Sequence, residues 1–102
     1  MIIMKGYLVA NYTIHDHETY QKYVAGAMPV IAKYKGKILI GDPNSKILEG
    51  QPNQFFIVVE FESTEAAQRF FDSPEYTEIK PLRISSTKGW IAIVKEFEMP
   101  KH

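Results

Sequence analysis

The sequence of 102 residues contains no cysteine and has no net charge, and each absence excludes a class of protein. Without cysteine there is no disulfide, no thiolate nucleophile and no Cys-ligated zinc. Lysine and arginine number 12, as do aspartate and glutamate, and no basic stripe stands out, so we expect no nucleic-acid partner. No apolar run approaches the roughly 20 residues that span a bilayer, so we expect no membrane partner.

Several motifs of chemistry are also missing. The opening residues, MIIMKGY, lack the apolar core and cleavage site of a signal peptide, which favours a cytoplasmic location. No G-x-G-x-x-G, P-loop or G-x-S-x-G occurs, so we predict no nucleotide cofactor and no serine nucleophile. The 3 histidines have no i, i+4 pair and no acidic cluster beside them, which predicts no metal site.

What is present is one domain over 1–102, with a core over about 5–97 and a flexible tail over 98–102. Hydrophobic periodicity predicts strands over 5–14, 37–40, 54–61 and 90–97, with a brief extra strand over 46–49. Capping residues and apolar stripes predict helices over about 17–34 and 64–71, and a third that starts after residue 73 and is interrupted at residue 81. This order predicts an α+β fold of ferredoxin-like type, an antiparallel sheet with helices on one face.

The first predicted helix has a distinctive pattern. Its apolar stripe includes three tyrosines, which we expect in the core: Tyr20, Tyr23 and Tyr34. Pro29 predicts a bend over 26–29, and Gly36 is expected to end the helix.

The strand over 54–61, QFFIVVEF, is apolar on both faces. Helices suffice to cover only one face, because the chain has few of them. We therefore predict that two chains stack their open faces as a symmetric homodimer, a dimeric α+β barrel. The residues expected on that face are Tyr7, Val9, Phe56 and Val58. In the last strand, Ile91, Ile93 and Phe97 fall on one side, and Trp90, Ala92 and Val94 on the other.

Two polar residues share the face assigned to the dimer interior, Asn11 and Glu60. A carboxylate in an apolar space must be paired, hydrogen-bonded or protonated, and its pKa tends to rise toward that of a useful general acid or base. Glu60 and Asn11 are therefore the candidate catalytic residues. The alternative is that Glu60 lies at the mouth of the barrel, solvated or paired with a lysine.

Four further residues are candidates for ligand binding. Arg83, in the last helical turn, could clamp a carboxylate, or else bond helix-terminal carbonyls or an acid. Tyr76 could line a pocket edge, and Trp90 could form a pocket wall or only a lid on the core. His15 could shuttle protons, or could be an exposed histidine without a role.

Three segments together resemble the domain-of-unknown-function family numbered 1330: KGYLVANYTIHDHETYQKYV, AKYKGKILI and VVEFESTEAAQRFFDSPEYTEIKPLR. The resemblance covers residues 5–97, and its most specific parts are Glu60-Phe61, the turn over 73–76 and the segment over 81–83. It implies a ferredoxin-like subunit of the dimeric α+β barrel superfamily. It implies no catalytic residues, since the family has no assigned activity.

This sequence departs from the usual members of that family, where many carry arginine on the first strand in place of Asn11. Some members of the superfamily oxidise small aromatic substrates or degrade haem without a bound metal, and one haem-degrading branch uses Asn, Trp and His. Asn11 resembles the first of these, whereas Trp90 and His15 do not lie on the matching elements, so that activity is not carried over. Two functions stay open: a barrel that binds a small, partly apolar molecule with cofactor-independent chemistry, or a non-catalytic regulatory or structural dimer whose interface is filled by side chains.

Overall fold

The computed structural model describes residues 4–100 and contains four strands and three helices. The strands are β1 (Gly6–Ile14), β2 (Lys37–Asp42), β3 (Phe55–Phe61) and β4 (Thr87–Lys95), and the helices are α1 (His17–Lys33), α2 (Thr64–Phe71) and α3 (Pro74–Ser86). The sheet order is β2-β3-β1-β4, and every neighbouring pair is antiparallel. The predicted α+β, ferredoxin-like fold is confirmed, with two β-α-β units whose strands interleave.

Each helix begins at a capping side chain that the sequence predicts. Asp16 Oδ1 accepts a hydrogen bond from Thr19 N at 3.1 Å. The hydroxyls of Ser63 and Ser73 accept from the amides three residues later, at 3.0 and 3.1 Å. These caps satisfy amides that would otherwise have no partner in the first helical turn.

The end of α1 differs from the prediction, because Lys35 and not Gly36 adopts the left-handed conformation, with φ of 62°. Glycine at position 36 serves packing: a Cβ there would lie 2.9 Å from both the Ile31 side chain and the Phe61 ring.

The predicted interruption at Pro81 is wrong, since α3 continues through it to Ser86. Proline removes one ladder bond, and Pro81 is exposed, so water can bond the carbonyl left without its amide.

The connection between β2 and β3 is also different from the prediction. Residues 46–49 form no strand, because Ser45 bonds the Gln54 carbonyl through its amide and its hydroxyl and closes the loop on itself. β2 extends to Asp42 with a bulge between Ile38 and Ile40. β4 begins at Thr87, three residues earlier than predicted, because the pairing with β1 continues to Ile14.

The two faces of the sheet have different surroundings, as predicted. The inner face, formed by alternate residues from Leu8 to Tyr12 and from Phe55 to Phe61, packs under the helices. The opposite face, called here the open face, has no helix over it in the part of the chain described, and Trp90 is 49% exposed there.

No helix within residues 4–100 is both long and apolar enough to cross a membrane. The end of the predicted tail, residues 101–102, lies outside the described residues, as do residues 1–3 of the predicted domain.

Candidate functional site

An apolar cavity of about 170 Å³ lies between α1 and the inner face of the sheet. Its floor is formed by apolar side chains of β1 and β3, and its roof by one side of α1. One end is closed by Phe70 of α2 and Tyr76 of α3. The residues of floor and roof are Leu8, Ala10, Ile57, Val59, Val24, Ala27, Met28 and Ile31.

The cavity exists because α1 is fixed on its side toward α3 and little fills the space toward β2. A Cβ added at Gly26 would lie 2.8 Å from the Ile79 side chain, so α1 and α3 pack closely there. At the other side, Met28 and Ile38 line the cavity while remaining half exposed. Gly41 contributes no side chain, so the mouth of the cavity opens between α1 and β2.

Four tyrosines form the aromatic wall of the cavity, called here the tyrosine wall: Tyr12, Tyr20, Tyr23 and Tyr76. Their hydroxyls pair with one another. Tyr12 and Tyr20 hydroxyl oxygens are 2.6 Å apart, and those of Tyr23 and Tyr76 are 2.8 Å apart. Arg83 donates from Nε to the Tyr76 hydroxyl at 3.0 Å. Because the polar atoms bond one another, the wall presents mostly ring carbon to the cavity.

Burial raises the pKa of the Tyr12, Tyr20 and Tyr23 hydroxyls, because a phenolate loses hydration inside the protein. The positive charge of Arg83 acts in the opposite direction on Tyr20 and Tyr23, with a smaller effect on the pKa. These phenols therefore keep their protons at neutral pH. Among residues 4–100, those that line the cavity include no carboxylate, lysine or histidine.

Asn11 is 0% exposed and its amide is fully engaged by the chain. Nδ2 donates to the carbonyls of Asn53 and Phe55, at 2.7 and 3.1 Å. Oδ1 accepts from the Asn53 amide at 3.0 Å. Asn11 thus ties β1 to the segment that leads into β3, and its bonding groups are occupied by protein.

Glu60 lies at the opposite end of the open face from Asn11. The register pairs Glu60 with Tyr7 and Asn11 with Phe56, and four residues along β1 correspond to about 13 Å. The structure therefore does not bring the two candidate catalytic residues together within one chain. The Tyr7 hydroxyl donates to Glu60 Oε2 at 3.4 Å. Desolvation, and then the charges of Glu60 and Glu96, raise the pKa of Tyr7.

The four candidate ligand-binding residues fall into two groups. Tyr76, 1% exposed, lines the apolar cavity and receives the hydrogen bond from Arg83. Trp90 lies on the open face opposite Asn11, and His15 is exposed beyond β1, where its amide donates to the Ser86 carbonyl at 2.9 Å. Tyr76 and Arg83 are therefore near the cavity, whereas Trp90 and His15 are not.

The sequence does not indicate the cavity itself. Its apolar pattern predicts Tyr20 and Tyr23 in the core, where both are buried, and predicts the ligand space on the open face. A partial signal was available, since Tyr12 on the inner face and tyrosines at i and i+3 of α1 bring several bulky rings to one end of one layer. Periodicity shows which side chains face each other, but it does not show the volume that they leave unfilled.

A second, more polar pocket of about 310 Å³ lies at the end of the sheet where β1 ends and α1 begins. Its lining includes Thr13, His17, Asn53 and Gln54. The Thr13 hydroxyl donates to Asn53 Oδ1 at 2.8 Å, which orients the Asn53 side chain. Within residues 4–100 there is no group of three or more His, Cys, Asp or Glu side chains that could hold a metal ion.

Comparison with known proteins identifies related sequences and folds. The profile of the family described as Domain of unknown function (DUF1330) matches residues 5–97. No curated protein matches the chain. A solved structure of a protein of unknown function from Rhodopseudomonas palustris is 14% identical and has a TM-score of 0.74, with 98% of this chain and 86% of that chain covered.

Two further solved structures are similar over nearly their whole length. SnoaB from Streptomyces nogalater, described as a cofactor-independent oxygenase, is 10% identical with a TM-score of 0.66, and 94% of this chain and 96% of that chain are covered. A dabb family protein with a ferredoxin-like fold from Mesorhizobium loti is 11% identical with a TM-score of 0.63, covering 95% of this chain and 99% of that chain. At these identities the likeness shows the fold alone.

Proposed function

The chain belongs to the DUF1330 family of domains of unknown function, and we propose that it binds a small apolar molecule in the cavity between α1 and the sheet. The observation that carries this proposal is the cavity of about 170 Å³ with its tyrosine wall. An engineered apolar cavity of about 150 Å³ stays dry and binds benzene, so a cavity of this size and lining suits one aromatic ring with a short substituent.

Binding, and not catalysis, is the function that this lining supports. The cofactor-independent chemistry expected from the sequence needs a group that can take or give a proton near neutral pH. The phenols of the tyrosine wall stay protonated because burial raises the pKa values of Tyr12, Tyr20 and Tyr23. The description of SnoaB as a cofactor-independent oxygenase is compatible with a reactive ligand in this fold, and it specifies no reaction for this chain.

Calorimetric titration with propylbenzene tests the proposal, with Gly41→Leu as the blocking variant. An added Cβ at Gly41 meets no atom of residues 4–100 within 4 Å, so a leucine there can occupy the mouth without a clash. Binding at one hundred times the Kd should stabilise the wild-type protein by about 2.7 kcal/mol. Gly41→Leu should abolish the heat of binding and this gain.

Ala32→Leu is the matched control, since it adds the same side chain to an exposed position of α1 outside the cavity lining. This control should bind propylbenzene as the wild type does. If the wild type takes up no propylbenzene, or if Gly41→Leu binds it equally well, the cavity is not a binding site. The alternative function, a non-catalytic regulatory or structural module, would then be favoured.

We also propose that the protein forms a homodimer through the open face. Apolar side chains on all four strands support this proposal, and Val94 and Ile40 are 45% and 47% exposed there. The centre of the face is apolar, and apolar sheet faces pack against each other at about 10 Å separation. A second copy presents an identical apolar surface, so it is the partner that this chemistry favours.

Sedimentation at micromolar concentration tests the dimer, with Val58→Asp as the disrupting variant. Val58 lies opposite Val9 at the centre of the open face, where a carboxylate would be desolvated without a partner. We expect wild-type dimers and Val58→Asp monomers. Lys22→Asp, a change at an exposed position of α1, should remain dimeric. A monomeric wild-type protein would contradict the proposal.

A further inference from the structure

The apolar cavity and the polar pocket are lined by consecutive parts of the same four segments. On α1, Tyr20 lines the cavity and His17, one turn earlier, lines the pocket. Gly41 of β2 lines the cavity, and Pro43, the first residue after β2, lines the pocket. The two spaces therefore lie next to each other between α1 and the sheet, toward the end where β1 and β2 end and β3 begins, and together they are called here the groove.

Two aromatic rings form the partition between the two spaces, since Tyr12 and Phe55 are the residues that line both. Their ring centroids are 5.7 Å apart in an edge-to-face arrangement. Tyr12 is buried, whereas Phe55 is only partly buried, so the Phe55 ring contacts the space on either side. The lining of the cavity and that of the pocket are offset by one to two strand residues, about 3–7 Å, which a short alkyl chain can span.

We propose that this groove takes an amphipathic ligand, with an apolar ring in the cavity and a neutral oxygen group, such as a hydroxyl or carbonyl, in the polar pocket. This inference rests on the proposed function and specifies its ligand class. The imidazole of His17 and the amide of Gln54 supply both donors and acceptors to the pocket lining. Both side chains belong to exposed residues and can adjust to a ligand.

The charges around the pocket favour a neutral head group over an anion. Asp16 and Glu18 flank His17 in the chain. Hydrogen bonds from Thr19 lower the pKa of Asp16, so its carboxylate is ionised at neutral pH. Within residues 4–100, the pocket lining contains no lysine or arginine that could pair with an anionic head group, and a carboxylate next to a lining residue in the chain opposes its approach.

A matched pair of ligands tests the inference: hydrocinnamyl alcohol, and propylbenzene, which has the same ring and chain without the hydroxyl. In calorimetric titrations, the double variant His17→Ala/Gln54→Ala should bind the alcohol about tenfold more weakly than the wild type does, since two neutral hydrogen bonds are lost. Its affinity for propylbenzene should be unchanged. Because both side chains are exposed, the variant should fold normally, and circular dichroism checks this.

The control His15→Ala/Gln51→Ala removes the same two residue types at exposed positions outside the pocket lining, and it should bind both ligands as the wild type does. Equal weakening of both ligands, or of neither, in His17→Ala/Gln54→Ala would overturn the amphipathic ligand and leave the apolar site in place, provided that propylbenzene binds the wild type. If neither ligand binds the wild type, the inference and the proposed function fail together.

Discussion

The two faces of β3 are made of the same kinds of residue, yet only one of them packs against helices within the chain. On the inner face, Val59 is 4% and Phe61 1% exposed. On the open face, Phe56 and Val58 are only partly buried. The difference comes from what lies above each face and not from the side chains, because successive residues of one strand point to opposite sides. The sequence of β3 thus specifies two apolar faces, and the position of the helices decides which of the two is shielded from water within one chain.

Polar groups on the two faces are satisfied in different ways. On the inner face, the hydroxyls of the tyrosine wall pair with one another, and Arg83 adds one further hydrogen bond. On the open face, Asn11 bonds backbone groups of residues 53 and 55, and Tyr7 bonds Glu60. The inner face therefore offers a ligand an apolar, uncharged surface, whereas the polar groups of the open face link the two central strands, β1 and β3, near their ends.

The largest effect should come from truncating matched aromatic residues on the two faces. Phe61→Ala should lower the free energy of unfolding by about 3–5 kcal/mol, because it leaves a cavity under the helices. Phe56→Ala should cost clearly less when it is measured by urea unfolding at concentrations where sedimentation shows a single chain. Equal losses in the two variants would contradict the difference between the faces.

The tyrosine wall should make the protein sensitive to alkaline pH. The folded-state pKa values of Tyr12 and Tyr23 lie above the ordinary tyrosine value, so their contribution is fully present below about pH 10 and is lost as the pH rises through the folded pKa. Over that range each tyrosine should lower the free energy of unfolding by about 1.4 kcal/mol per pH unit. Urea unfolding from about pH 10 upward, above the ordinary tyrosine pKa, measures the slope. Tyr23→Phe should reduce the slope by the contribution of one tyrosine. An unchanged slope in this variant would contradict the prediction.

Asn11→Ala should lower the free energy of unfolding by about 1–3 kcal/mol, because it leaves partly buried backbone groups of Asn53 without their partner. Chemical denaturation measures the loss. Asn44→Ala, at an exposed position of the loop between β2 and β3 that also contains Asn53, should change the free energy of unfolding by less than about 0.5 kcal/mol. If Asn11→Ala lowers the free energy of unfolding no more than this control does, the hydrogen bonds of the Asn11 amide do not stabilise the link between β1 and the segment before β3.

The smallest effect is a gain. Gly41→Val should raise the free energy of unfolding by about 0.5–1 kcal/mol, since glycine weakens a strand interior and space is open around an added Cβ. A thermal melt measures it. Gly36→Val, in which the Cβ would meet Ile31 and Phe61, should destabilise the protein instead. A loss at position 41 would show that the mouth of the cavity is already filled.

The sequence predicted the fold well because its strongest signals are local. Asp16, Ser63 and Ser73 begin the three helices as expected, since a cap needs only a side chain and an amide three residues later. The errors arose where long-range packing overrides local preference. Lys35 takes the strained conformation because Gly36 is needed against Phe61. Helix α3 continues through Pro81 because Tyr76 near its start bonds Tyr23 and the Ser86 carbonyl at its end accepts from the His15 amide.

The candidate site could be predicted only in part. Glu60 and Asn11 share a face, as the period of two requires, but the distance between them depends on the register with β1. Tyr76 and Arg83 are about two helical turns apart in sequence and meet because i and i+7 lie on one side of a helix. Their hydrogen-bond partner Tyr23 comes from α1, and the separate Tyr12–Tyr20 pair beside it joins β1 to α1, so no local pattern links these residues to α3.

The sequence by itself determined the element order, the helix caps and the two-faced strand, because each depends on residues within a turn or a pleat of one another. Only the tertiary structure decided that a cavity remains beneath α1 and that the tyrosine hydroxyls satisfy each other around it. The physical reason is that an unfilled volume, or a hydrogen bond between buried side chains, depends on the distances between several segments of the chain. No single segment specifies those distances.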